Sequence, residues 1–278
     1  MRHQPWLDQD GLGPLRRDFT LADLEPEAAA AGVGATVVVQ TVTEPGETPE
    51  MLALAASHGL VAGVVGWVDL TDPGVADALA ALRGLPGSEY LAGIRHPVLI
   101  EADPDWLSRP DVLRGLAALA GTGLVYDVVC TQQQLPAAVT AATAVPGLTF
   151  VLDHLGNPDG TAAGHGPWER ALRAFAALPN TVAKLSGVLS DSFAGRATPA
   201  VPGLGDIDSG VRGYAEAALD AFGPGRLMFG SDWPPCTLTT TYRGVLGAAR
   251  ALTAALSPAE QAAIFAGTAR RVYGLAAT

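Results

Sequence analysis

Seven short apolar runs constrain the fold of this chain more than any other feature of its sequence. Each run is rich in Val, Ile or Leu and lacks polar alternation, a pattern typical of parallel strands covered on both faces. The predicted strands are Ala35–Gln40, Val61–Val68, Tyr90–Arg95, Leu124–Val129, Thr149–Asp153, Val182–Leu185 and Leu227–Phe229. The predicted helices that alternate with them are Pro49–His58, Pro73–Leu82, Asp105–Ala120, Gln132–Thr143, Pro167–Ala177, Gly210–Phe222, Leu238–Ala255 and Pro258–Val272, the last with Gly274 as its C-cap.

This alternation predicts the α/β class and, over 278 residues, a (β/α)8 TIM barrel. An open, doubly wound sheet of seven strands is the alternative. The strand count is one short, and a helix starting near Thr20 precedes the first strand, so we expect a barrel that lacks its first strand. We expect one domain over 1–278, with an N-terminal loop and helix over 1–34 and a C-terminal helix over 258–278. The loop Ser192–Asp208 is predicted to be a lid or binding loop.

Composition limits the classes of binding partner that this chain is expected to have. Apolar residues make up 49% of the chain and the net charge is −11, which argues against disorder, nucleic acid and anionic membranes. The longest apolar run is far shorter than the roughly 20 residues of a membrane span. Cys130 and Cys236 have no metal-type spacing. Two cysteines do not indicate a disulfide framework either, so a reducing cytoplasm is the expected compartment.

A carboxylate and an imidazole follow two of the predicted strands, where active sites of such folds are built. Asp232, in RLMFGSDWPPC, suits a general base or a metal ligand. Its alternative role is to cap the following helix, although Thr237 is the better cap candidate. His154, in FVLDHLGNP, could bind metal, orient water or polarise a carbonyl. Its neighbour Asp153 could fix an imidazole tautomer or accept backbone hydrogen bonds.

Other strand ends offer polar groups. Arg95 could hold a carboxylate or a lactone carbonyl, or pair with a neighbouring acid. Trp233 is either a wall against the substrate or a cap over the barrel mouth. Lys184 is the single lysine of the chain, and it lies at a strand end with Ser186. His96 is expected to point away from the barrel axis.

Competing chemistries have weaker support. The sequence has no G-x-S-x-G elbow, phosphate-binding loop or dinucleotide fingerprint. A nucleophilic Cys236 is less favoured than a small buried cysteine. A glycosidase would need two carboxylates, and Asp127 with Asp232 would be that pair.

Four segments carry a resemblance to a known family: Gly93–His96, Val151–Pro158, Val182–Val188 and Phe229–Cys236. They resemble the amidohydrolase-related proteins, in the branch that contains sugar-acid lactonases and pyrone-dicarboxylate lactonases. The start of the chain, including Pro14–Val33, is similar to that branch as well, so the resemblance covers nearly the whole sequence. It implies a (β/α)8 barrel that opens a lactone with water.

The same resemblance implies roles for single residues. Asp232 would be the general base, His154 would polarise the carbonyl or bind metal, and Arg95 would contact the substrate. The family begins with a His-x-His strand, which this sequence lacks. A start codon placed too far downstream is the favoured explanation, and a degenerate barrel is the other. Both predict an open seam between the first and last strands, weak stability and little or no catalysis.

The leading hypothesis is therefore a cytoplasmic hydrolase acting on a small sugar-acid-type lactone. Asp232 and His154 are its catalytic residues, and Arg95, Trp233, Lys184 and Ser186 its substrate contacts. A divalent metal such as zinc, if the enzyme uses one, would be held by His154 and Asp232. A homo-oligomer is compatible with this hypothesis. The alternatives are a metal-dependent decarboxylase of the same superfamily and a non-catalytic barrel that binds a ligand or partner.

Overall fold

A computed structural model describes residues 4–8, 11–187 and 209–276. Seven parallel strands form one sheet in sequence order, as predicted, and the predicted lid Ser192–Asp208 lies outside the described residues. The strands are β1 (Thr36–Val39), β2 (Val61–Gly66), β3 (Leu91–Pro97), β4 (Val125–Val129), β5 (Phe150–Leu152), β6 (Thr181–Leu185) and β7 (Leu227–Phe229).

Helices precede, separate and follow the strands. They are α1 (Leu21–Ala31), α2 (Glu47–Ser57), α3 (Val75–Arg83), α4 (Pro110–Leu119), α5 (Leu135–Ala144), α6 (Ala162–Ala176), α7 (Ser209–Phe222), α8 (Tyr242–Leu252), α9 (Pro258–Ala262) and α10 (Thr268–Val272). A π-helical turn, Ala263–Gly267, joins α9 to α10. Among the described residues, no helix combines the length and apolar character needed to cross a membrane.

The ends of two helices test the predicted caps. Gly274 follows α10 with a φ of 62°, which confirms the predicted glycine cap. The prediction of Thr237 as a cap is wrong. Two prolines first force a 3-10 turn, and α8 begins only at Tyr242, where Thr241 Oγ1 accepts a hydrogen bond from the Gly244 amide at 3.0 Å.

The sheet curls into a partial barrel whose two faces are packed differently. Alternate side chains of a strand point to opposite faces, and one set packs against the helices in the larger hydrophobic cluster. The other set forms a smaller cluster on the concave face. The C-terminal segment completes this cluster with Tyr273. Its buried strand residues are Val65, Ala92, Val125, Val151, Val182 and Met228.

The barrel is open on one side in the described part of the chain. Each strand pairs with its sequence neighbours, and β1 and β7 are the two edges of the sheet. The residues of β1 are half-buried, whereas those of the central strand β4 are all buried. This arrangement agrees with the predicted (β/α)8 architecture lacking a strand and leaves the expected seam between β1 and β7.

Candidate active site

The register of the parallel strands brings distant charged residues together on the concave face. Val151 of β5 lies opposite Val182 of β6 and also opposite Asp127 of β4. Because side chains two residues apart share a face, Asp153 and Lys184 follow Val151 and Val182 as neighbours on the same side. The carboxyl ends of β4, β5 and β6 thus place two carboxylates around one ammonium.

A buried ion cluster results from this register. Lys184 Nζ lies 2.5 Å from Asp127 Oδ2 and 2.7 Å from Asp153 Oδ1. Arg95 Nη1 donates to Asp153 Oδ2 at 2.8 Å. From the C-terminal segment, the Tyr273 hydroxyl donates to Asp127 at 2.9 Å. The interior of the barrel is therefore held by polar contacts as well as by apolar packing.

The charges in this cluster follow from the balance between burial and pairing. Burial raises the pKa of Asp127 in spite of the adjacent lysine. Burial acts in the same direction on Asp153, but Lys184 and Arg95 outweigh it and bring the pKa of Asp153 down to about 2. Burial lowers the pKa of Lys184, but the two carboxylates outweigh it and raise that pKa well above its ordinary value. Lys184 and Asp153 are thus ionised at neutral pH.

Arg95 is fixed at the end of β3 from two sides. Its guanidinium binds Asp153 on one side and donates to the backbone carbonyl of Gln40 on the other. The fully buried Gln40 side chain returns a hydrogen bond from Nε2 to the Arg95 carbonyl oxygen at 3.1 Å. Of the two roles predicted for Arg95, the ion pair with a neighbouring acid is present in the structure, and 16% of the side chain remains exposed.

His154 and Asp232 share an unusual backbone conformation. Both have a φ of 53°, in the left-handed region that residues with a Cβ rarely adopt. Leu155 and Asn157, in the turn that contains His154, also have positive φ values. Such conformations cost free energy and concentrate at functional sites. The chain accepts this cost after β5 and after β7, at the two positions where the sequence predicts catalytic groups.

The two side chains face each other across a short gap. His154 Nε2 lies 3.7 Å from Asp232 Oδ1, with side chains 9% and 11% exposed. On the other side of the ring, His154 Nδ1 is 2.8 Å from the Ser186 hydroxyl. Burial raises the pKa of Asp232, an effect that His154 opposes. A carboxylate with a raised pKa is a stronger base toward water than an exposed one.

Trp233 lies beside this pair and faces the N-terminal segment. Its ring meets Phe19 edge-on, with ring centroids 5.4 Å apart. Both rings line a cleft of about 360 Å3 together with Arg17, Thr240 and other residues, but the residues lining it do not include Asp232 or His154. In this structure, Trp233 therefore belongs to the rim next to the candidate site.

Other residues considered as functional candidates from the sequence do not contribute to the site formed by His154 and Asp232. Asp127 is fully buried and bound by Lys184 and Tyr273, so it is not available as the second carboxylate of a glycosidase. Cys236 is fully buried, and burial raises its pKa to about 12, which disfavours a nucleophilic thiolate. His96 stacks on Trp106 at 4.3 Å, on the helix-covered side of the sheet.

Tyr273 is the interior residue that sequence reasoning missed. It follows a predicted helix, and no local pattern distinguishes it from an ordinary C-terminal aromatic residue. Its partner Asp127 lies 146 positions earlier in the chain. The contact depends on the C-terminal segment packing against the concave face, which is a tertiary feature.

Whether a metal ion fits the candidate site depends on the number of ligating side chains there. Among the described residues, no group of three or more His, Cys, Asp or Glu side chains is arranged to hold a metal ion. His154 and Asp232 are two donors, whereas a catalytic zinc site ordinarily uses three protein ligands and a water. The described part of the chain does not on its own fit a zinc ion.

Comparison with known proteins gives a consistent result. A family model described as Amidohydrolase matches residues 2–275. A protein of Burkholderia multivorans named L-fucono-1,5-lactonase is 39% identical over 280 residues, which cover 98% of this chain and 90% of that protein. A protein of the same name from Burkholderia ambifaria is 34% identical, covering 94% of this chain and 87% of that protein. The crystal structure of an amidohydrolase from Burkholderia multivorans with bound zinc has a TM-score of 0.87 and 36% identity, covering 98% of this chain and 94% of that one.

Proposed function

Because the chain belongs to the amidohydrolase family, we propose that it opens a small sugar-acid lactone by adding water, with an L-fucono-1,5-lactone as the first substrate to test. The observation that carries this proposal is the pairing of Asp232 with His154. Their facing atoms are 3.7 Å apart, too far for a direct hydrogen bond and suited to two groups that act on the same reacting centre. Both relatives named above are lactonases by name.

The reaction can be written with these two residues. Asp232 accepts a proton from water as the water oxygen bonds to the lactone carbonyl carbon. His154 donates a hydrogen bond to the carbonyl oxygen, where negative charge develops in the transition state. The ring C–O bond then breaks, and Asp232 returns its proton to the leaving oxygen. The product is a hydroxy acid, which ionises at neutral pH and releases one proton.

The charges around the pair favour an uncharged substrate. In the part of the chain that the structure describes, the two cations of the concave face, Arg95 and Lys184, are each bound by a carboxylate. With Asp232 included, the carboxylates of this face outnumber its cations. An anionic lactone such as a pyrone dicarboxylate would need an uncompensated cation. A neutral polyhydroxy lactone needs only hydrogen-bonding partners: the partly exposed guanidinium of Arg95 can donate to its oxygens, and the carboxylates of this face can accept from its hydroxyls.

The test is Asp232→Asn, compared with Asp220→Asn as a matched control. Asp220 is 71% exposed on α7 and pairs with Arg173. Loss of a general base lowers kcat by about 10²–10⁴-fold, so Asp232→Asn should show that loss and keep its thermal midpoint, whereas the control should keep both. Proton release from L-fucono-1,5-lactone, read with a pH indicator, measures turnover.

Other outcomes point to the alternatives. Full turnover by Asp232→Asn would show that Asp232 is not the general base. Carbon dioxide release from an aromatic acid would favour the decarboxylase. If the native chain binds lactone in a thermal-shift assay without turning it over, the non-catalytic barrel is favoured. Each assay is run with added zinc and with EDTA, so that a metal requirement is measured directly.

A further inference from the structure

The two residues that follow β6 pack against the His154 side chain. Ser186 follows β6 directly, and its hydroxyl oxygen lies 2.8 Å from His154 Nδ1. Ser186 is only 1% exposed, so a substrate in the barrel mouth does not reach this hydroxyl. The side chain that the sequence suggests as a substrate contact instead touches the imidazole.

Two glycines allow this close approach. Gly187 has a φ of 69°, and a Cβ at that position would lie 2.5 Å from His154 Cβ and 2.8 Å from Cγ. A Cβ at Gly230, after β7, would lie 3.0 Å from Ser186 Cβ. Any side chain at Gly187 would therefore displace His154, and one at Gly230 would press on Ser186. The backbone at Gly187 thus packs on His154 and the backbone at Gly230 packs on Ser186, and larger residues at either position would prevent these contacts.

The geometry excludes a second role for Ser186. Ser186, His154 and Asp232 superficially form a Ser-His-Asp set, in which the serine would be the nucleophile. A nucleophile must reach the substrate carbonyl, and the burial of Ser186 prevents that. The Asp232 carboxylate also faces Nε2 from 3.7 Å, beyond hydrogen-bond distance, so it does not orient the ring as a triad aspartate does.

We propose that Ser186 is a positioning residue, whose hydroxyl donates to His154 Nδ1 and thereby keeps the ring proton on Nε2. In that tautomer the Nε2–H group points toward Asp232 and the reacting carbonyl oxygen. The bond at Nδ1 determines which proton the other nitrogen carries. This inference rests on the proposed function for its catalytic consequence, while the tautomer itself is a property of the protein alone.

The first experiment measures the tautomer independently of activity. The ¹⁵N-labelled protein is treated with EDTA and studied by NMR at pH 8, well above the ordinary imidazole pKa of about 6.5. His154→Gln identifies the His154 signals among those of five histidines. The native protein should show protonated Nε2, and Ser186→Ala should show a mixture of both tautomers. A ring protonated at Nδ1 in the native protein would overturn the proposal, even if lactone hydrolysis were established.

The second experiment separates positioning from substrate contact. Ser186→Ala should lower kcat by about 10-fold to 100-fold, as loss of a histidine's orienting partner does, and leave KM unchanged. Added to His154→Gln, it should cost nothing more. The control is Thr181→Val at the other end of β6, where the buried hydroxyl donates to the Phe175 and Leu178 carbonyls. It should reduce thermal stability without changing the His154 tautomer.

Two kinetic results would contradict the proposal. A raised KM with unchanged kcat for Ser186→Ala would make Ser186 a substrate contact. A burst of acyl-enzyme that disappears in Ser186→Ala would make it a nucleophile. If the native chain hydrolyses no lactone, the proposed function fails, and the NMR result still decides the role of Ser186.

Discussion

Lys184 Nζ lies 2.7 Å from Asp153 Oδ1, and this contact joins the single lysine of the chain to the residue that precedes His154. The same ammonium also binds Asp127. Replacing Lys184 by Met removes the cation and leaves two buried carboxylates around an apolar side chain. Breaking a buried pair from one side costs about 3–5 kcal/mol. Lys184→Met should therefore lower the free energy of unfolding by that order, as measured by urea denaturation.

The matched variant is Asp127→Asn combined with Lys184→Met, which removes one of the stranded charges. Asp153 keeps its partner Arg95 in both variants. The double variant should be more stable than Lys184→Met alone, because Asp127 no longer carries an unpaired charge. Equal stability of the two would mean that Asp127 is protonated once Lys184 is removed, the direction in which burial shifts its pKa.

Tyr273 contributes to the same cluster through one hydroxyl. It donates to both oxygens of Asp127, at 3.1 and 2.9 Å, and it is buried. A hydrogen bond to a charged group contributes about 2 kcal/mol, so Tyr273→Phe should lower the free energy of unfolding by about that amount. The same change at half-buried Tyr90, which packs on the helix-facing cluster, should cost within about 0.5 kcal/mol. An equal loss in the free energy of unfolding at both positions would mean that the hydrogen bond to Asp127 does not contribute to stability.

The fold was predictable because its signals are local. Buried parallel strands are continuous apolar runs, and all seven runs are strands in the structure. Because the strands are parallel, the polar residue after each run lies on the same rim of the barrel. His154 and Asp232 could therefore be placed on one rim without knowledge of the strand register. The sequence could not predict which side chains on that rim contact one another.

The side-chain contacts on the rim depend on the register between strands and on the packing of segments that are distant in sequence. The lysine was recognisable as unusual by composition, but its contacts with Asp127 and Asp153 follow from which residues of β4, β5 and β6 lie side by side. The contact of Ser186 with His154 depends on the left-handed backbone at His154, which no local pattern at that position indicates. Distances of this kind require the folded structure.

A glycine in α4 tests the close contact between this helix and the loop after β2. A Cβ at Gly115 would lie 2.2 Å from the Leu70 carbonyl oxygen, so Gly115→Ala should lower the thermal midpoint in spite of the better helix propensity of alanine. Overpacking of this kind costs about 1–3 kcal/mol. The control is Gly213→Ala in α7, where the nearest atom to the added Cβ is a histidine nitrogen at 3.7 Å. It should keep or raise the midpoint, since alanine favours a helix by up to about 1 kcal/mol. Equal loss at both sites would contradict the predicted clash.

His96 should make the stability of the protein depend on pH. Its Nδ1 accepts a hydrogen bond from Trp67 Nε1 at 3.1 Å, and Nε2 lies 2.8 Å from Glu101. Burial lowers the pKa of His96, which Glu101 and Asp69 only partly oppose. A histidine with a lowered folded-state pKa stabilises the fold fully above its unfolded value of about 6.5 and loses that contribution as the pH falls further. The free energy of unfolding, measured in urea from pH 8 to pH 5, should fall below pH 6.5, and His96→Gln should flatten that fall. An unchanged slope in His96→Gln would assign the pH dependence to other groups.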